Sequence, residues 1–235
     1  MNYKFYNLKG AIILKNEIRF KKLIQTALLA ALCFVSFTYL QIKIPMPGGD
    51  ATSLHIGNAF CVLAALLLGG WYGGLAGAIG LTIADLLDPV YILVAPKTFI
   101  LKLCIGLITG LIAHRIAKIG DSNDKKYILK WSLIASIVGL AFNVIADPVV
   151  GFFYKQYILG QPQDAAIILA KLSAATTFIN AVVSVILVAI IYNSIRPILK
   201  RAGLLLPVEL CVYCGYIKVQ SILVYPFFIL KINIK

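Results

Sequence analysis

Leu68-Gly69-Gly70-Trp71-Tyr72-Gly73-Gly74-Leu75-Ala76-Gly77-Ala78-Ile79-Gly80-Leu81-Thr82-Ile83-Ala84-Asp85-Leu86-Leu87-Asp88-Pro89 is the stretch that decides the fold. Trp71 and Tyr72 are aromatics of the kind that sit at a membrane–water interface. Behind them runs an apolar segment rich in small residues. Gly73 and Gly77 form one row and Ala76, Gly80 and Ala84 another, at the four-residue spacing that lets helix backbones approach closely in a bilayer. The run then closes on two carboxylates and a proline. It reads as a membrane helix ending at a polar rim.

The rest of the chain agrees. Hydrophobic residues make up 61% of the 235 and charged residues only 13%, against roughly 45–50% and 25% in a soluble domain. Mean hydropathy is +0.93. This composition excludes a soluble globule, which has nowhere to bury so much apolar surface, and a disordered chain, which needs low hydrophobicity.

A spanning helix needs about 20 largely apolar residues, and six segments qualify or nearly so. The spans read as Leu23–Ile44, Ile56–Leu68, Gly73–Leu87, Thr98–Ile116, Ile128–Phe153 and Ala165–Ile195, the last stopping before Pro197. Pro96 suits the first turn of the fourth helix. The second and third are short, so tilt, re-entry or a different split stays open. The chain thus divides into a basic tail (1–20), a six-helix membrane domain (21–200) and an apolar extension (201–235) of open status. The expected fold is an all-α integral membrane bundle of six transmembrane helices.

The formal charge of +13 is then a topology signal. Lys4, Lys9, Lys15, Arg19, Lys21 and Lys22 precede the first span. Arg115, Lys118, Lys125, Lys126 and Lys130 join the fourth to the fifth, and Arg196, Lys200 and Arg201 follow the sixth. The opposite loops hold Lys43, Lys97, Lys155 and Lys171. The positive-inside rule puts both termini in the cytoplasm, and nucleic acid drops out as a partner.

Polar groups gather in the opposite half. Asp50, His55 and Asn58 follow the first span, Asp85 ends the third, Lys97 and Lys102 open the fourth, Asn143 and Asp147 lie in the fifth, and Lys171 and Asn180 in the sixth. Ionisable groups inside a span face a bundle interior or a water-filled cavity, so these residues describe an outward-opening pocket. Single-residue alternatives remain. Lys97, Lys155 and Lys171 are able to snorkel to the interface, and Asp88-Pro89 and Asp147-Pro148 are able to terminate helices. Gly77–Asp85 and Gly139–Asp147 also share a Gly and an Asp eight apart, a weak internal repeat of the kind transporters carry.

Chemistry is harder to find. The chain has no phosphate-binding loop, nucleophile elbow or metalloprotease helix, and no cofactor or metal is expected. Cys33, Cys61 and Cys104 lie in apolar runs, and Cys211/Cys214 is a lone CxxC, short of the four ligands of a structural zinc site. The Asp85/Asp88 pair leaves a lipid- or isoprenoid-modifying membrane enzyme as one alternative, and a stand-alone secondary transporter as another.

Taken together, the basic tail leading to Ala27-x-x-x-Ala31, the Pro/Gly-rich outer loop, His55-Ile56-Gly57-Asn58, Leu68–Gly77, Ile83–Asp88 and Ala95-Pro96-Lys97-Thr98-Phe99 carry a resemblance. The chain resembles the substrate-binding S component of energy-coupling factor (ECF) vitamin transporters, riboflavin-transporter-like branch, over about residues 20–200. The resemblance implies a binding subunit with no catalysis of its own. Such a subunit captures a riboflavin-, pyridoxine-, thiamin-precursor- or pterin-like compound outside a bacterial plasma membrane. It docks on a transmembrane coupling subunit driven by two ATPases, with Ala27 and Ala31 inheriting the docking contact.

Overall fold

The computed structural model describes residues 3–46 and 49–208, with side chains from residue 16 onward. Pro47, Gly48 and the tail from residue 209, including Cys211, Cys214, Tyr225 and Pro226, lie outside the described residues. Helix α1 spans Tyr3–Tyr39 and leads into an antiparallel hairpin, β1 (Gln41–Pro45) and β2 (Ala51–His55). Helices α2 (Gly57–Leu68), α3 (Gly70–Leu87), α4 (Ala95–Gly110), α5 (Lys125–Phe153) and α6 (Gln163–Arg201) follow. Single π-helical turns extend α4 over Leu111–Ile116 and α5 over Tyr154–Ile158.

Four of the six helices are long and apolar enough to cross a membrane: those containing Asn16–Tyr39, Ile92–Ile116, Lys125–Ile158 and Gln163–Arg201. The brevity of α2 has a physical reason. Every α2 residue except Phe60 is buried, so this helix is wrapped by α1, α3, α4 and α6. A helix apolar all round is a core helix, and its contacts replace the lipid that a longer span would meet.

Small residues set the packing of α3. A Cβ on Gly106 would overlap the backbone of Gly74, and one on Gly110 the backbone of Gly70, so α3 and α4 touch backbone to backbone. A Cβ on Gly73 would strike Ala64 and Ala65 of α2, and one on Gly80 would strike Ala30 of α1. The glycine and alanine rows of the opening stretch are therefore the three-way seam of the bundle. Ala27 and Ala31, by contrast, are exposed on α1 and take no part in it.

Two boundaries differ from the sequence reading. The first span ends at Tyr39, because Gln41–Pro45 pairs with Ala51–His55 in register Gln41↔His55 to Pro45↔Ala51. Helix α6 runs through Pro197 to Arg201 instead of stopping before the proline, while α5 runs through Asp147-Pro148 to Phe153, the end the sequence reading gave it. Proline lacks an N–H and crowds the preceding turn, yet here neither helix stops. Asp88 does end α3, its Oδ1 accepting the Val90 N–H at 3.1 Å.

At the basic end, the α2–α3 turn is held by Gly69 at φ +88°. The His114 ring nitrogen lies 3.2 and 3.1 Å from the carbonyls of Ala65 and Leu66, satisfying the last turn of α2. Arg196 donates to the Ile119 carbonyl at 2.7 Å. After α6 the chain folds back, with Gln25 Nε2 donating to the Leu204 carbonyl at 2.8 Å.

Candidate functional site

A cavity of about 110 Å³ lies at the opposite end, roofed by the hairpin and walled by α3, α4, α5 and α6. The hairpin is tied to α6 chiefly by the Asn180 side chain. Asn180 Oδ1 accepts the His55 N–H at 3.0 Å, and its Nδ2 donates to the Ser53 carbonyl at 2.9 Å. Thr52 and Thr176 hydroxyls meet at 2.7 Å beside it. An amide can bridge a strand's N–H and C=O in this way because it carries one acceptor and two donors.

Two ion pairs brace the walls. Lys97 donates to Asp147 Oδ1 at 2.9 Å, joining α4 to α5. Asp147 Oδ2 accepts from Ser173 at 2.8 Å and Thr177 at 3.1 Å, joining α5 to α6. Lys155 pairs with Asp50 Oδ2, while Asp50 Oδ1 accepts the Ala51 N–H at 2.8 Å. The π turn after Phe153 presents Lys155 inward; such turns recur at functional sites because they re-aim one side chain.

Asp50, Asp85 and Asp147 and Lys97, Lys102 and Lys155 all line the cavity, so its charges balance. Two of them, Lys102 and Asp85, are in no ion pair among the described residues, although both are buried. A buried charge is costly unless paired or hydrogen-bonded. The arrangement leaves one strong donor and one strong acceptor facing an otherwise neutral space. Aromatic rings complete the wall. Phe37 packs edge-on against His55 (centroids 4.7 Å) and Tyr91 (5.7 Å). His55 Nδ1 accepts the Gly57 N–H at 3.1 Å. Burial and the neighbouring Lys102 lower the imidazole's pKa from its usual 6.5 to about 3, keeping it neutral.

Of the residues singled out from sequence, Asp50, His55, Asp85, Lys97, Lys102, Asp147 and Asn180 line this cavity. Asn58 and Asn143 are buried, each with an Oδ1 lacking a hydrogen-bond partner, but neither lines it. Lys171 is exposed and does not converge. Asp88 pairs instead with Lys43 and is absent from the cavity lining, so the Asp85/Asp88 pair of the enzyme alternative does not form one site. Lys155, Thr52, Ser53, Tyr91, Thr98, Ser173 and Thr177 are polar lining residues that were not among those candidates. A lysine in an outer loop carried no signal to separate it from a snorkelling one, and a hydroxyl in a helix carries almost none.

A model of the family described as "ECF-type riboflavin transporter, S component" matches residues 17–197, most of the chain. The chain belongs to that family. This S component also shares its fold with ThiT from Listeria monocytogenes. The two are 20% identical, with a TM-score of 0.54, over 80% of this chain and 99% of that one. No curated protein matches the S component by sequence. Family and fold make it a membrane transport subunit of the vitamin-binding type, not an enzyme.

Proposed function

We propose that this S component captures riboflavin from outside the cell and presents it to partner subunits for ATP-driven import. The observation that carries the proposal is the placement of Lys102 and Asp85. A charge-neutral cavity with one lysine and one carboxylate outside any ion pair, the carboxylate held by the Thr98 hydroxyl and still able to accept more, suits a neutral heterocycle whose edge alternates carbonyls and N–H groups, as the dione ring of riboflavin does. Phe37, His55 and Tyr91 supply flat walls for its ring system. A free ion would meet too few compensating groups, and a lipid tail would leave both charges unsatisfied.

A cavity of about 110 Å³ is smaller than the ~300 Å³ at which small-molecule sites begin. Loading therefore requires the hairpin to shift, and the Asn180 bridge and the Thr52–Thr176 contact must give and re-form. In this reading both termini lie in the cytoplasm with the basic end of the bundle, and the cavity opens to the outside. The coupling subunit and its two ATPases dock on α1, whose Ala27 and Ala31 are exposed and flat enough for close helix approach.

Native mass spectrometry of the detergent-purified protein tests the reading directly. The expected result is one riboflavin retained per chain. A different vitamin, retained in the same proportion, would keep the binding role and correct the substrate. An empty protein that binds no vitamin offered to it would overturn both.

A further inference from the structure

A second cavity, larger than the first, opens on the outer flank of the bundle. It measures about 380 Å³ and is lined by Thr38, Gln41, Lys43, Ala84, Leu87, Asp88 and Pro89. It is separate from the central site: Tyr91 lines the central cavity and carries Lys43 against its ring, 5.5 Å from the centroid. Lys43 Nζ stands 2.5 Å from Asp88 Oδ2, so one cation and one anion meet in the groove. Next to them, Thr38 Oγ1 and Gln41 Oε1 are buried without a hydrogen-bond partner. Buried polar groups are ordinarily satisfied, and a turn of either side chain toward the groove it lines gives its oxygen a partner in an occupant.

The surroundings say what kind. Leu87 of the lining is exposed, and so are Leu40, Ile42 and Leu86, chain neighbours of lining residues, at the level where the helices end. We infer that this groove seats the headgroup of a phospholipid bearing a primary ammonium. Its phosphate accepts from Lys43 and Thr38 Oγ1, its ammonium donates to Asp88 and Gln41 Oε1, and its acyl chains leave over Leu87. A primary ammonium offers three donors, whereas a quaternary one offers none and is held by aromatic cages. No aromatic residue lines the groove. The inference rests on the membrane placement proposed above, and it gives the hairpin strand β1 an attachment to the bilayer.

The test offers the purified full chain phosphatidylethanolamine and phosphatidylcholine of identical acyl composition, with bound lipid counted by native mass spectrometry. The ethanolamine lipid is expected to stay bound and the choline lipid to be lost. Asp88→Asn and Lys43→Gln are each expected to reduce lipid retention about tenfold, the scale of one hydrogen bond to a charged group. Riboflavin titration of the same variants reports separately on the central cavity and on folding, and is expected to be unchanged. Should a variant misfold, Thr38→Val provides the milder change with the same expected direction. Equal retention of both lipids, or variants that hold lipid like the wild type, would overturn the inference. Displacement of the lipid by soluble phosphoethanolamine would reassign the groove to a free zwitterion. Selective lipid binding in a protein that takes no riboflavin would sink the proposed substrate and leave this site standing.

Discussion

Lys97 and Lys155 each pair with a carboxylate, and Lys102, only five residues beyond Lys97, is in no ion pair among the described residues. His55 faces the same space and is kept neutral by it, which gives a pH dependence with a definite sign. The folded protein holds the imidazole's pKa near 3, while an unfolded chain has it near 6.5. Between those values the unfolded state binds more protons, so stability is full above about 6.5 and is lost as pH falls toward 3. Melting of the purified protein should therefore be lower at pH 5 than at pH 7.5, and His55→Gln should shrink that difference. An identical pH slope in the variant would remove His55 from the account. Lys97, Lys102 and Asp147 were legible in sequence because an ionisable group inside an apolar run is costly and needs a reason. Lys155 and Lys171 were not, since each sits near a helix end. Whether such a lysine turns inward is decided by local backbone: a π turn aims Lys155 at Asp50, and the regular α-helix around Lys171 leaves it exposed.

At the scale of elements, the glycine rows did what their spacing implied. Gly74 and Gly106 bring α3 and α4 together with no room for a side chain, so Gly106→Val should prevent assembly of the bundle. Overpacking of this kind costs typically 1–3 kcal/mol where neighbours can shift, and here the neighbour is backbone. The check is the yield of monodisperse protein from membranes, with Gly120→Val as the control, because nothing lies within 4 Å of a Cβ there. Wild-type yield for Gly106→Val would contradict the seam. The hairpin was hidden from sequence reading. Its first strand continues the apolar run of α1, so periodicity alone extends the helix to Ile44, and only pairing with Ala51–His55 turns residues 41–45 into a strand. The proline-containing end of α6 misled in the opposite direction, because neighbouring helices hold a helix together past a missing N–H.

Across the whole molecule, polar chemistry and basic charge occupy opposite ends. The cavity carries three acids and three lysines in balance, while Arg115, Lys118, Lys125, Lys126, Lys200 and Arg201 gather at the other end of the bundle. That asymmetry was fully legible in sequence, since it depends only on which loops hold the cations. Capture at one end and coupling at the other should be separable. Replacing Ala27 and Ala31 by Trp is expected to leave ligand affinity unchanged and to abolish uptake into cells carrying the complete transporter. Uptake at the wild-type rate would show that α1 docks through another face. The most direct measurement of the central claim is equilibrium titration of riboflavin into the purified wild-type protein and Lys102→Met side by side. The account predicts saturable binding of one riboflavin per wild-type chain and an affinity lower by about tenfold or more in the variant, the scale of a lost hydrogen bond from a charged group. Absence of saturable riboflavin binding to the wild type, or equal affinity in the two proteins, would contradict it.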